Sequence, residues 1–432
     1  MVDQGNQPGR RPAAMAQIHA ADTGIAADIQ TGVEKAALGL GLEASGAARL
    51  AQAVEEVFVF VATRAPGSSF GVELRDRRHR VEALLHCRLA TEALHWFNLT
   101  QPIDVGDAAA MDALGLLLAS RLVDRLTVDL DPEGGVLLTL EQSRRYPMAA
   151  DGAEPSPVPA GDAEPVAADA EGMAGLAWLF RRRMGMAVPR PFQTDELAQD
   201  MAAAGDLSAL VVRDGSGGVR GGIAWRTRSP RLFEVLGPVA VGDDLALTGR
   251  LVDVLIRRLV GTGVAMIYAE ERGPGFPVAE FDCLGRLGSR PLHFRLIEED
   301  GGMPSWADSV SRPFLAVFYE ALALERDVRD APADGEARPD RALLAAEVDR
   351  IASRVTLRPL LDGADLPELI ADHVERFADE GLDDFRFETD HGVPWQGRLG
   401  RDLMQAGFFP RVVLPHGGQG DVIVWERDWM PV

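Results

Sequence analysis

Apolar residues recur with helical spacing from Glu43 to Arg64, where Leu50, Val54, Val57, Phe58 and Val61 fall at i, i+3 and i+4. The segment predicts an amphipathic helix that buries one stripe. The period then changes. Phe70 to Arg75 and Val81 to Leu89 read as strands divided by the charged turn Asp76-Arg77-Arg78-His79. A helix follows from Met111 to Arg125. Strands Leu126 to Leu130 and Val136 to Glu141 flank Asp131-Pro132-Glu133-Gly134-Gly135, whose breakers suit a tight connection.

Further along, Met173 to Met184 and Thr194 to Ala203 read as helices, and Ser208 to Arg213 and Val219 to Arg226 as strands around Gly215-Ser216-Gly217-Gly218. Strand Leu232 to Val241, helix Leu247 to Val260 and strand Val264 to Glu270 come next. The last stretch predicts helices over Leu343 to Ala352, Asp365 to Asp379 and Trp395 to Ala406. Its strands are Asp384 to Glu388, Phe408 to Leu414 and Asp421 to Trp425. Breaks separate these groups. Residues 1–20 read as a disordered tail, 147–165 as a proline-rich linker and 326–341 as a second linker with Pro332, Gly335 and Pro339. Three units remain, 21–146, 166–325 and 342–432, as expected for 432 residues at ~150 per domain. Each mixes helices with largely antiparallel strands, so the fold class is α+β. No repeat with a period of about 20 to 50 residues is visible. The third unit is small and is expected to pack on the second and extend its sheet.

Composition narrows the chemistry. With 44 basic and 66 acidic residues the net charge is −22, which argues against nucleic acid or an anionic membrane as partner. No apolar run reaches the ~20 residues of a membrane span, and Arg10-Arg11 precede no apolar core of a secretion signal. A cytoplasmic protein is expected. Cys87 and Cys283 lie far apart and read as packing residues, with neither a disulfide framework nor a metal site. Lys35 is the only lysine, and its surroundings fit no phosphate loop, kinase strand or Schiff-base site. The histidines fall at no zinc-binding spacing and no G-x-S-x-G occurs.

Ala53-Val54-Glu55-Glu56-Val57-Phe58-Val59-Phe60-Val61 resembles the helix of the GHKL ATPases, in particular the anti-sigma-factor serine kinases. Ala113-Leu114-Gly115-Leu116 with Leu122-Val123-Asp124 resembles that family's glycine-containing helix. The resemblance implies an α/β sandwich over about 120 residues that binds ATP with magnesium. It also implies a helix glutamate that activates the attacking group, here Glu56, and a magnesium-binding asparagine one turn on. Phe60 stands at that position, and a phenyl ring offers a hard cation no oxygen. The first family glycine is Ala113, and only Gly115 remains. Asp104-Val105-Gly106 matches the family's adenine-reading D-x-G.

The second unit resembles the GNAT acyltransferases. Gly263-Val264-Ala265-Met266-Ile267-Tyr268-Ala269-Glu270 is similar to a strand of a family in which a GNAT domain follows a GHKL domain. Gly407-Phe408-Phe409-Pro410 with Leu414-Pro415 resembles the half-GNAT unit behind it. The resemblance implies acetyl-CoA, its pyrophosphate held by a glycine loop entering a helix. Counting back from Tyr268, that loop falls on Asp243-Asp244-Leu245-Ala246-Leu247, with both glycines gone; Gly249 restores one only inside the helix. Asp243 and Asp244 read equally as helix caps. Glu234 and Glu270 are general-base candidates on neighbouring strands, with solvated sheet ends as their ordinary role. His391 and His416 lie in turns expected at the surface, a cleft between the second and third units being the alternative. Damage at both sites favours a non-catalytic regulatory or protein-interaction protein with a protein partner and no cofactor. The alternative is an acyl-CoA-dependent N-acyltransferase under a nucleotide-sensing domain.

Overall fold

The computed structural model describes residues 14–19, 23–88, 94–95, 97–98, 108–131, 135–147, 163–270, 273–332, 338–350 and 353–427. The fold is α+β. The first unit runs β1 (Ala14–His19), α1 (Ala26–Gly39), α2 (Ala44–Arg64), β2 (Ser69–Asp76), β3 (Arg80–Cys87), α3 (Ala108–Leu122), β4 (Arg125–Asp131) and β5 (Gly135–Ser143). Its strands form an antiparallel sheet in the order β1-β2-β3-β5-β4. Leu50, Val54, Val57, Phe58 and Val61 of α2 are wholly buried, as their spacing requires. Two elements differ from expectation. Residues 14–19, assigned to the tail, form an edge strand, and α1 lies in a stretch where no element is predicted. Residues 1–13, 20 and most of the 147–165 linker lie outside the described residues.

The second unit contains β6 (Val166–Ala167), α4 (Ala170–Met184), α5 (Asp195–Ala204), β7 (Ser208–Arg213), β8 (Val219–Ser229), β9 (Leu232–Ala240), α6 (Leu245–Leu259), β10 (Met266–Ala269), β11 (Asp282–Leu287) and β12 (Arg290–Leu296). Side-chain alternation gives this sheet two buried faces. Leu210, Val212, Ile223 and Val235 pack under α6, while Ala209, Val211, Ala224 and Leu236 pack under α4 and α5. The sheet order is β11-β12-β10-β9-β8-β7-β6, and only β9 and β10 pair in parallel. A small parallel ribbon follows, β13 (Met303–Ala307) and β14 (Arg326–Asp330), joined through α7 (Ser311–Ala321). The linker expected at 326–341 therefore begins with a paired strand. Residues 333–337 are not among those described.

The third unit is β15 (Leu343–Asp349), β16 (Arg354–Leu361), α8 (Leu366–Asp379), β17 (Asp384–Asp390), α9 (Gly400–Gln405), β18 (Phe408–Leu414) and β19 (Val422–Arg427). The helix expected at Leu343 to Ala352 is corrected to β15. Its Leu343, Leu344, Ala345 and Ala346 are buried in succession, and pairing with β16 overrides their helix propensity. The expected Trp395 to Ala406 helix is broken into a 3-10 turn at Gln396–Arg398 and the short α9. The sheet order is β15-β16-β17-β19-β18, with β16 and β17 parallel. This reproduces the order and pairing of β8, β9, β10, β12 and β11, so the third unit repeats the second half of the second. It does not extend the second unit's sheet as expected. Its edge strand β18 lies beside the equivalent edge β11, close enough that a Cβ on Gly285 would meet Arg411 O at 2.4 Å.

The units are locked together. Arg77 and Arg80 each reach Asp206 at 3.0 Å. Arg125 pairs with Glu347 at 2.7 Å and Arg121 with Glu380 at 2.8 Å, where β15 lies against β4. Buried Asn98 donates to Ala342 O (2.9 Å) and accepts from Leu344 N (3.0 Å). One apolar core runs through the first unit, β12, α7 and the third unit. Asn98→Ala would leave two buried backbone groups unpaired. It should lower stability by about 2–3 kcal/mol, read as a reduced urea midpoint at unchanged slope; an unshifted midpoint would show that water replaces the amide.

Candidate functional site

In the first unit, α2 presents Glu56 and Phe60 toward different surroundings. Glu56 is half-buried, and burial together with neighbouring Glu55 pushes its carboxyl above the usual range. Gly115 of α3 lies against it, for a Cβ there would stand 3.2 Å from Glu56 Oε2 and 3.3 Å from Glu56 O. The glycine permits close approach of α3 to α2. Phe60 is 2% exposed and meets Phe97 edge-on, with centroids 5.6 Å apart. It is a core residue. Glu56 and Gly115 are thus brought together, whereas Asp104 and Gly106 lie outside the described residues, as does the side chain of Ala113.

In the second unit, the place of interest is where the parallel strands β9 and β10 end. Met266, Ile267 and Tyr268 pair with Leu232, Phe233 and Glu234. Continuing that register brings Gly273 level with Val239. Contact is indeed made there, since a Cβ on Gly273 would lie 2.0 Å from Pro238 O and 2.9 Å from Val239 Cγ1. The β9–β10 ladder ends at Tyr268 and Glu234, and Gly273 comes back against Pro238 beyond its end. Thr248 Oγ1 of α6 donates to Gly275 O at 2.8 Å and holds the returning segment on the helix start. Gly275 adopts φ +83°, a conformation that favours glycine.

That helix start is occupied by carboxylates of the chain itself. Asp244 caps α6 by accepting from Leu247 N at 3.0 Å. Asp243, at φ +53°, forms an ion pair with Arg183 from the end of α4. Ala246 is exposed. A Cβ on Gly249 would meet nothing within 4 Å, so no close approach depends on that glycine.

Glu234 is corrected from a solvated sheet end to a buried partner, 6% exposed. Arg226 grips it at 2.6 and 2.9 Å, and Tyr268 OH donates to it at 3.2 Å. Burial alone would push its carboxyl up, but the Arg226 charge and these hydrogen bonds bring it below the usual range. Burial and the Glu234 charge push the Tyr268 phenol well up. A base held ionised by a guanidinium is a weak proton acceptor, which makes this trio structural.

Glu270 has the other fate. Half-buried, it lines an open cleft of about 750 Å³ between the end of α4, the 273–276 segment and the β11–β12 turn. Arg290 stands 3.5 Å and Arg386 3.8 Å from it. Arg183 and Arg290 join Glu270 on the lining, with Met184, Met186 and Phe276 as apolar wall. The arrangement offers one carboxylate between guanidiniums beside an apolar surface, suited to holding a polar group next to a bulky side chain. Sequence reading finds Glu270 but misses Arg183 and Arg290. The breaker cluster Gly273-Pro274-Gly275-Phe276-Pro277 is the signal that marks a loop there.

His391 and His416 are corrected from surface turns to buried residues, 1% and 3% exposed. Of the cysteines, Cys87 is buried and Cys283 exposed, so the latter is no packing residue. Among the described residues no group of three or more His, Cys, Asp or Glu is placed to hold a metal, and no helix is long and apolar enough to cross a membrane.

No protein-family description matches the chain, and no curated protein matches it. Among solved structures it is similar to an aminoglycoside 6'-acetyltransferase type Ii, with 13% identity over 31% of this chain and 99% of that one, at a TM-score of 0.26.

Replacing Phe60 by Asn would bury an amide where a ring now packs. Phe60→Asn should destabilise the protein by about 4 kcal/mol and leave it without ATP hydrolysis, measured by urea unfolding and phosphate release. A stable variant that releases phosphate would overturn the assignment of Phe60 to the core.

Proposed function

We propose that the chain is a non-catalytic binding protein, in which a GHKL-like unit, a GNAT-like unit and a half-GNAT-like repeat serve as scaffolds for contacts with a protein partner. The strand order of the second unit, with its single parallel pair, supports the GNAT-like reading. The helical layer on an antiparallel sheet supports the GHKL-like one. The observation that carries the proposal is the close approach of Gly273 to Pro238 beyond the end of the β9–β10 pairing. Gly273 lies on Pro238, where an acyl-CoA arm would need an opening. Asp243 and Asp244 add to this. A phosphate placed at the start of α6 would meet like charge costing ~1 to ~4 kcal/mol at ~4 Å, and Leu247 N–H is already taken.

A second reading is favoured by Glu270. A half-buried carboxylate at the end of β10, lining an open cleft, is where an acceptor amine could be deprotonated. The two readings part in calorimetry of the full chain with acetyl-CoA and with magnesium-ATP. The proposal expects no heat of binding at ~1 mM of either ligand. Micromolar acetyl-CoA binding, with amine acetylation that Glu270→Gln abolishes, would establish the acyltransferase instead.

That close approach makes its own prediction. Gly273→Ala sets a methyl against the Pro238 carbonyl, so the variant should lose about 2 kcal/mol or more and exchange backbone amides faster at 235–240. Unchanged exchange there would show that the segment does not rest on β9.

A further inference from the structure

His391 and His416 stand at the junction where the β13–β14 ribbon meets the third unit, and the hydrogen bonds around them suit neutral rings. Trp425 Nε1–H donates to Thr389 Oγ1 at 2.9 Å. The Thr389 hydroxyl is then free to donate to His391 Nε2 at 3.1 Å. His391 Nδ1–H donates across the junction to Trp306 O at 2.6 Å, and Trp306 N–H returns a bond to His391 O at 2.8 Å. A second proton on this ring would require the Thr389 hydroxyl to turn its own proton away and accept from Nε2 as well as from Trp425.

His416 is held differently. Its Nε2 lies 2.9 Å from Asp300 Oδ2, and its backbone N–H donates to Asp421 Oδ1 at 2.9 Å. Its Nδ1 is buried and has no hydrogen-bond partner among the described residues. Protonation there would create a buried donor with no acceptor. Arg326, its side chain 1% exposed, pairs with Asp300 at 2.7 Å and Asp421 at 2.6 Å and so joins β14 to the third unit through the same group.

We propose that this junction is an acid-released latch: His391 and His416 hold the third unit on the β13–β14 ribbon while neutral, and their protonation loosens it. The charges facing them set the sense. Asp300 and Asp421 favour a proton on His416 and Arg326 and Arg231 oppose it, while Asp308, Asp390 and Asp421 favour one on His391. Burial outweighs these carboxylates, and both rings titrate below the ordinary histidine range. A folded value below the unfolded one of about 6.5 means that the latch is at full strength above that pH. It weakens as pH falls through the lowered values. His79, brought down to about 4 by burial and Arg80, lies at the other junction, and His373, also about 4 through burial, lies inside α8. Location separates their effects from the latch.

Hydrogen exchange of the full chain at pH 7.5 and 5.5, corrected for the intrinsic pH dependence, tests this. Residues 303–307, 326–330 and 414–423 should exchange about tenfold faster at the lower pH, while 208–213 and 247–255, which hold no histidine, keep their protection. The double variant His391→Gln/His416→Gln should abolish the difference. Should it fail to fold, the single variants His391→Gln and His416→Gln should each leave a smaller difference than the unaltered protein. Protection retained at pH 5.5, loss spread evenly along the chain, or a response indifferent to the substitutions would each overturn the latch.

Discussion

A guanidinium withdrawn from water has to be met by carboxylates, and Arg326 meets two, Asp300 before β13 and Asp421 before β19. Removing one partner of such a buried group typically costs about 3–5 kcal/mol, because the remaining charge is stranded. The consequence is positional. Asp300 belongs to the end of the second unit, Arg326 to β14 and Asp421 to the third unit, so one side chain sets where three segments converge. With them set, β18 comes beside β11, Gly397 can press on Trp306, where a Cβ would lie 2.4 Å from the carbonyl, and Arg386 comes within 3.8 Å of Glu270. The cleft beside Glu270 thus depends on a buried ion network outside its lining.

The two repeats share more than strand order. In each, the segment after the second parallel strand turns back onto a proline carbonyl of the first. Gly273 rests on Pro238 O, and Gln396 Nε2 donates to Pro359 O at 3.2 Å while its Oε1 accepts from Asp390 N at 2.7 Å. One contact is made possible by a missing side chain and the other is made by an amide. Since proline has no N–H, its carbonyl is the only backbone polar group at that position. In both repeats it is covered by the chain's own atoms.

How far the sequence discloses this depends on range. The α2 stripe of Leu50, Val54 and Val57 and the strands around Gly215 to Gly218 are local patterns, and the structure follows them. β15 is not local. Leu343-Leu344-Ala345-Ala346 reads as helix until β16 pairs with one edge and β4 lies near the other. Glu234 and Tyr268 could be assigned to adjacent strands, yet nothing in either segment announces Arg226 as their third member. Glu270 was legible as a strand-end acid, but its guanidinium neighbours come from β12 and β17. His391 and His416 stand in glycine-containing turns, which ordinarily lie at the surface. What buries them is the ribbon after the second unit, whose β13 opens Met-Pro-Ser and whose β14 reads Arg-Asp-Val-Arg-Asp, neither showing the apolar alternation of a strand.

The junctions also explain how a chain with a net charge of −22 holds three units together. Several contacts between units set arginine on one side against a carboxylate on the other: Arg80 with Asp206, Arg125 with Glu347, Arg228 with Glu388 at 2.6 Å and Arg326 with Asp421. Lysine would serve poorly there. Its ammonium is a strongly hydrated point charge, whereas a guanidinium is less hydrated and offers a planar fork that two oxygens can share. Arg326 uses that fork on Asp421, with its Nε at 2.6 Å and an Nη at 3.2 Å. The surplus acids leave the chain with its negative net charge. On a chain of negative net charge, the cleft bearing Arg183 and Arg290 gathers positive charge at one place. The same residue type that fastens the units together therefore also charges the cleft.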